Sequence, residues 1–131
     1  MAGLYHLELE GLTRMLAQCA AEAEGLDEQR VLLKWPDPTA LFPCCVLAAP
    51  LAKPVYLGQA YELTLTAEIW AEDPLQAAGL FCRVNEQLAR LNVRMSGGTA
   101  PAYDKDIAKW RYGGTFSVRW NAINNTLEQI C

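Results

Sequence analysis

The sequence predicts an α+β fold, and three observations predict it: two runs of strict apolar–polar alternation, a capped helix between them, and an amphipathic helix near the start of the chain. In residues 61–70, Tyr61, Leu63, Leu65, Ala67 and Ile69 share one face of a strand, while Glu62, Thr64, Thr66 and Glu68 share the other. In residues 110–121 the same rule sets Trp110, Tyr112, Gly114, Phe116, Val118 and Trp120 against Arg111, Gly113, Thr115, Ser117, Arg119 and Asn121. Each strand therefore has one dry and one wet face. At roughly 3.3 Å per residue each run reaches about 33 Å or more, longer than the usual strand of about 5 to 6 residues. Such length asks for a partner beyond so small a domain.

The first helix is expected over residues 4–23, where Tyr5, Leu9, Leu12, Leu16, Cys19, Ala23 and Leu26 recur at steps of four and three. Glu10 and Arg14 stand one turn apart on its wetter side, and Gly25 is the stop. The stripe covers only about three heptads, so it packs on a sheet rather than in a coiled coil. Residues 30–35 (RVLLKW) read as a short strand ended by Pro36 and Pro38, and residues 43–49 (PCCVLAA) as a buried or edge-proximal strand bounded by prolines. Pro50, Pro54 and Gly58 then break the chain before the first long strand.

The second helix has the clearest start. Asp73 caps it, Pro74 fits the first helical position because its missing N–H is not needed there, and Gln76 stands where it can reach back to the cap. Leu75, Ala78, Cys82 with Phe81, Val84 or Asn85, Leu88 and Leu91 form its stripe, and the helix ends near Asn92. Gly79 inside the stripe costs about 1 kcal/mol against alanine, which implies close packing on the sheet at that point. Residues 96–106 (SGGTAPAYDKD) read as a flexible loop and residues 122–131 as a tail or a turn or two of helix. Residues 1–131 make one domain without internal repeats.

A hydrophobic fraction of 52% and a charged fraction of 20% belong to a folded globular chain rather than a disordered one. A net charge of -4, with pI about 4.9 and no basic cluster, disfavours nucleic-acid binding. The opening residues MAGLYHLELEGL lack the basic start and apolar core of a signal peptide, and no run reaches the length of a membrane span, so a soluble, unexported protein is expected. The five cysteines, Cys19, Cys44, Cys45, Cys82 and Cys131, form no CxxC pair and are read as reduced structural residues, with Cys19 and Cys82 on buried helix positions.

Few residues carry chemistry. The single histidine, His6, falls in the first helical turn, where exposure is the ordinary state. Glu68, Glu72 and Asp73 are acidic neighbours that, with Asp104 or Asp106, offer a cation ligands, but no ordered ligand pattern accompanies them and capping explains them better. Gly97-Gly98 follows a helix and lacks a downstream Gly-Lys-Ser/Thr, so it is no phosphate loop. No catalytic, cofactor-binding or metal-binding residue is therefore assigned. Tyr103, Asp104 and Lys105 read first as turn chemistry and second as a partner contact. Of the tryptophans Trp35, Trp70, Trp110 and Trp120, Trp70 stands out because it lies opposite the apolar row of its own strand, and so faces either a second layer or a subunit contact.

The stretch YELTLTAEIWAEDPLQAAGLFCRVNEQL, followed by YGGTFSVRWNAI, resembles the small tail-terminator and tail-completion proteins of long-tailed phages and prophages. The resemblance runs over residues 43–123 and more loosely over the first helix, and includes an aromatic–basic–aromatic set near the end of the last long strand, here Phe116, Arg119 and Trp120. It implies a mostly antiparallel sheet with two helices packed on one face. It also implies a homo-oligomer, a hexameric ring that caps the tail tube, stops its polymerisation and joins it to the head. The partners implied are the tail tube protein and the head–tail connector, and the place is the host cytoplasm during assembly and then the virion. The resemblance carries no catalytic residues, cofactor or metal. The candidate interface comprises Trp70, Tyr103, Asp104, Lys105, Arg119 and Trp120.

Physical reasoning suits that role, since a head-to-tail ring needs two different complementary patches on one protomer, and an acidic surface lets DNA slide past without sticking. The loop at 96–106 would then order on meeting the tube. The alternatives are another virion part, such as a head-completion or tail-tube subunit, and a small host ligand-binding or regulatory module with a pocket between helix and sheet. An enzyme lacks an acid–base or nucleophilic set.

Overall fold

The computed structural model describes residues 9–48, 51–98, 100–121, 123–124 and 126–130. Along the chain come α1 (Leu9–Ala21), β1 (Val31–Leu32), β2 (Cys44–Leu47), β3 (Leu51–Val55) and β4 (Ala60–Ala71). Then follow α2 (Pro74–Ala89), β5 (Arg94–Gly98), β6 (Ala102–Asp104), β7 (Lys109–Asn121) and β8 (Thr126–Glu128). All the strands join one sheet, antiparallel except for the β1–β2 pair. The α+β reading is thus the observed architecture. His6, Tyr5 and Cys131 lie outside the described residues, as does the start of the first helix as read from the sequence.

The two alternating runs pair with each other at the centre, from Ala60 opposite Asn121 to Ala71 opposite Trp110. Their dry faces coincide: Leu63, Leu65, Ala67 and Ile69 of β4 and Phe116 and Val118 of β7 are buried in one core with both helices. Each fully buried Leu, Ile, Val or Phe contributes roughly 1.5–3 kcal/mol. From α1 come Leu12, Leu16 and Ala20, and from α2 Ala77, Leu80, Phe81, Val84 and Leu88. Glu10 and Arg14 form the expected exposed pair at 2.9 Å. Beyond α1, Gly25 takes a φ of 97°, a left-handed turn with the Leu80 side chain against it, which glycine alone fits easily.

The outer edges of the long strands are covered within the chain, so their length does not require an outside partner. β2 and β3 follow one another along the same edge of β4, in registers one residue apart. β5 and β6 likewise follow one another along the outer edge of β7, and β8 covers its last stretch. Several expectations are corrected here. The stretch at 96–106 is not one irregular loop: it contributes to β5 and β6 and then turns. The tail forms β8 rather than helix, tethered where Asn92 Nδ2 donates to the Leu127 carbonyl at 2.9 Å. Residues 51–55, read as broken chain, are an edge strand in which Pro54 is tolerated. Of residues 30–35 only Val31 and Leu32 pair.

The cap of α2 is as the sequence predicts, with Asp73 Oδ1 accepting from the Gln76 N–H at 2.7 Å. Gln76 reaches back one residue further than the cap, accepting from the Glu72 N–H at 3.2 Å. The helix closes where Asn92, at φ 64°, lets the Val93 N–H reach the Leu88 carbonyl at 3.1 Å. Its buried stripe differs from the expected one by a rotation: Leu75 and Cys82 are exposed, and Ala77, Leu80, Phe81, Val84 and Leu88 point inward. The cause is Phe81, whose ring packs 5.1 Å from Tyr112 and 5.8 Å from Phe116 and fills the space over Gly114. Gly79 accordingly faces outward, with nothing within 4 Å of a Cβ built there, so it marks no close approach to the sheet.

Candidate functional site

On the sheet face away from the helices, β4 and β7 carry a ladder of opposite charges. Glu62 pairs with Arg119 at 3.3 Å, Glu68 with Arg111 at 3.8 Å, and Glu72 with Lys109 at 3.3 Å. Between the outer pairs Thr64 stands opposite Ser117, and Thr66 opposite Thr115. Glu72 is thus ion-paired, Asp73 caps α2, and Asp104 holds a turn by accepting from the N–H groups of Asp106 and Ile107, both at 3.0 Å. Of the carboxylates considered for a cation, Glu68, Glu72, Asp73 and Asp104 are engaged in these roles, and among the described residues no group of three His, Cys, Asp or Glu side chains is placed to hold a metal.

One end of this face is covered by residues 33–43. Trp70 is fully buried in a small second core with Cys44 and Val46, against which Leu32, Phe42 and Ile107 pack. The Trp35 ring meets Trp70 edge-on at 5.0 Å, and the Arg111 guanidinium lies 5.5 Å from the Trp35 ring. Trp70 therefore faces a second layer of its own chain and is corrected as a contact residue, because Trp35, 53% exposed, stands between it and solvent. Its indole Nε1 finds no hydrogen-bond acceptor among the described residues. Burial pushes the thiols of Cys44 and Cys45 up to about 12, so both are neutral packing groups at ordinary pH. Cys19 is half-buried, its thiol donating to the Gln87 carbonyl at 3.0 Å, and its pKa is raised by burial and then by Glu22. Hydrogen bonds from Thr39, side chain before backbone, hold the exposed Asp37 carboxyl below its ordinary range.

The remaining candidates fall into two groups at opposite ends of β7. Tyr103 is half-exposed and stacks edge-on over Trp110 at 5.5 Å, with Asp104 and Lys105 in the turn beside it. Arg119 and Trp120 lie at the far end, the first under the Tyr56 ring at 5.4 Å and the second tilted against Tyr61 at 5.9 Å on the helix side. About eight residues of strand, some 27 Å, separate the groups, so they do not form one site.

Sequence reasoning missed several exposed apolar residues, Leu51 on β3 and Leu75 on α2 among them. The β3–β4 hairpin tip carries Tyr56 and a fully exposed Leu57 (103%), and the neighbouring β7–β8 turn carries exposed Ile123. Because Ala60 pairs with Asn121, the two tips lie at the same end of the sheet. Leu33, Trp35 and Leu41 form a second exposed set on the segment that precedes β2, which pairs with the other end of β4. The available signal was an aliphatic residue inside a turn, Leu57 beside Gly58.

Small hollows occur along α1 and α2, among them one lined by Arg14, Ala17, Gln18, Glu28, Val31 and Leu33. Among the described residues no helix is long and apolar enough to cross a membrane. In comparisons with known proteins, no family model, no curated protein and no solved structure matches the chain.

Proposed function

We propose that this chain is a tail-terminator or tail-completion protein of a long-tailed phage or prophage, assembling head to tail into a ring that caps the tail tube, stops its growth and joins it to the head. Two things support the reading: the sequence resemblance over residues 43–123, and one geometric observation that carries it. Some of the exposed apolar residues fall in two unlike sets toward opposite ends of the long strand pair, Tyr56, Leu57 and Ile123 at one and Leu33, Trp35 and Leu41 at the other, while Leu51, Leu75, Met15, Met95 and Tyr103 are exposed outside them. Unlike patches on one protomer are what a head-to-tail contact uses, whereas a two-fold dimer uses one patch twice. Exposed aromatic side chains such as Tyr56 and Trp35 also match the make-up of contact cores.

The test is absolute mass in solution over a range of concentration and salt, together with negative-stain images of the protein mixed with purified tail tubes. A closed oligomer of about six chains, with rings at tube ends and no further growth, is the expected result. Open stacks would point to a tube subunit instead. A chain that stays monomeric or dimeric throughout and binds no tube would sink the assembly reading.

A further inference from the structure

We infer that the β3–β4 hairpin tip is a knob that docks into the groove between α1 and β1 of a second copy of this chain. The inference rests on the self-assembling reading above and names the two surfaces that would meet.

The tip combines two costs. Leu57 is fully exposed (103%), and it sits at φ 57°, ψ 35°, in the left-handed region that bulky side chains avoid. Tyr56 beside it is also left-handed, at φ 51°. The tip is braced nonetheless: the Gln59 N–H donates to the Tyr56 carbonyl at 3.1 Å, and Arg119, tied to Glu62, supports the Tyr56 ring. A rigid turn that presents an aliphatic side chain outward is suited to insertion, because its shape is fixed before contact.

The groove offers the complementary features. Ala17, Val31 and the half-exposed Leu33 give it apolar lining, and Glu28 gives it a carboxylate. Arg14, which also lines it, is occupied by Glu10 at 2.9 Å. Among the described residues Glu28 makes no ion pair, and Lys53 on β3, next to the tip, stands opposite Glu62 in the ladder but leaves that carboxylate to Arg119. A second copy that seats Leu57 in the groove brings an unpaired lysine toward an unpaired glutamate, which selects this partner and this orientation. Knob and groove lie on different elements, so one copy can use both at once and pass the contact on to the next.

Four variants test this: Leu57→Asn, Lys53→Glu, Glu28→Lys and the double charge exchange, each measured by sedimentation for self-association and by thermal unfolding for stability. Asparagine tolerates the left-handed conformation, so Leu57→Asn is expected to unfold at the same or a higher temperature while association weakens at least about tenfold. A merely structural leucine would move the two readings together. Each single charge reversal is expected to weaken association, and the double exchange to restore it. If wild-type protein assembles but Leu57→Asn assembles equally well, or the double exchange rescues nothing, the docking is overturned and the ring reading stands. Wild-type protein that stays monomeric with and without tail tubes overturns both.

Discussion

Gly113 stands opposite Glu68 on β4, and its missing side chain is what lets the two backbones approach there. A Cβ there would stand 2.5 Å from the Ala67 carbonyl oxygen and 2.9 Å from Glu68 Cα, and backbone in the middle of a ladder cannot swing aside. Gly113→Ala is therefore expected to destabilise the fold by about 1–3 kcal/mol, the usual penalty of overpacking. Gly79→Ala is the contrast, since nothing stands within 4 Å and the position is inside α2. There the substitution is expected to stabilise by roughly 0.5–1 kcal/mol through helix propensity. Urea midpoints of the two variants should move in opposite directions; equal shifts would contradict the packing described. Cys44 and Cys45 give a second expectation at this scale. Their thiols ionise near 9.0 in the unfolded chain and at about 12 in the folded one, so above pH 9 the unfolded state sheds protons that the folded state keeps. Below pH 9 both states hold the proton and there is no effect; between pH 9 and about 12 each thiol favours unfolding by about tenfold per pH unit. A Cys44→Ala, Cys45→Ala double variant should show a flatter fall of stability across that window than wild-type protein.

Elements with two unlike faces announce themselves, and elements with one do not. The alternation of β4 and β7 was legible because one face meets the helices and the other meets solvent and a charge ladder, so parity alone sorts Leu63 from Glu62. The start of α2 was legible because Asp73 and Pro74 do local work that no tertiary contact overrides. Its rotation was not, because an aromatic stack on Tyr112 and Phe116 fixes it, and that stack involves residues some thirty positions away. β3, β5 and β8 pair on one side only, and β3 and β5 are largely exposed, so Pro54 and Gly97-Gly98 cost them little and their sequences read as loop. Of the candidate site, the anomaly of Trp70 was visible from its parity, but its covering by Trp35 across a bend of the chain was not. The hairpin tips carry no periodic signal at all; only the strain and exposure of Leu57 mark them.

At the scale of the whole molecule the chain is two helix-and-hairpin units joined along their second strands, the first made of α1, β2, β3 and β4 and the second of α2, β5, β6 and β7. The sheet order places β4 and β7 side by side with the first strands outside them. Neither unit holds a core alone: Leu63, Leu65 and Ile69 are buried with Phe81, Phe116 and Val118, which belong to the other half. Cutting the chain between Glu72 and Asp73 would thus leave two fragments, each with an apolar sheet face open to water and one long strand edge unpaired. We expect fragments 1–72 and 73–131 to be unfolded separately and to regain the circular dichroism of the intact protein when mixed at equal concentration. The intact chain should in turn unfold in a single transition, because the shared core gives no half a stability of its own. Its tryptophans report on different regions, Trp35 and Trp70 on the second core and Trp120 on the helix side, so fluorescence and far-ultraviolet dichroism should give coincident curves. Two separated transitions, or a fragment that folds without its complement, would show that the halves are independent and that the β4–β7 ladder is a contact between them rather than their common core.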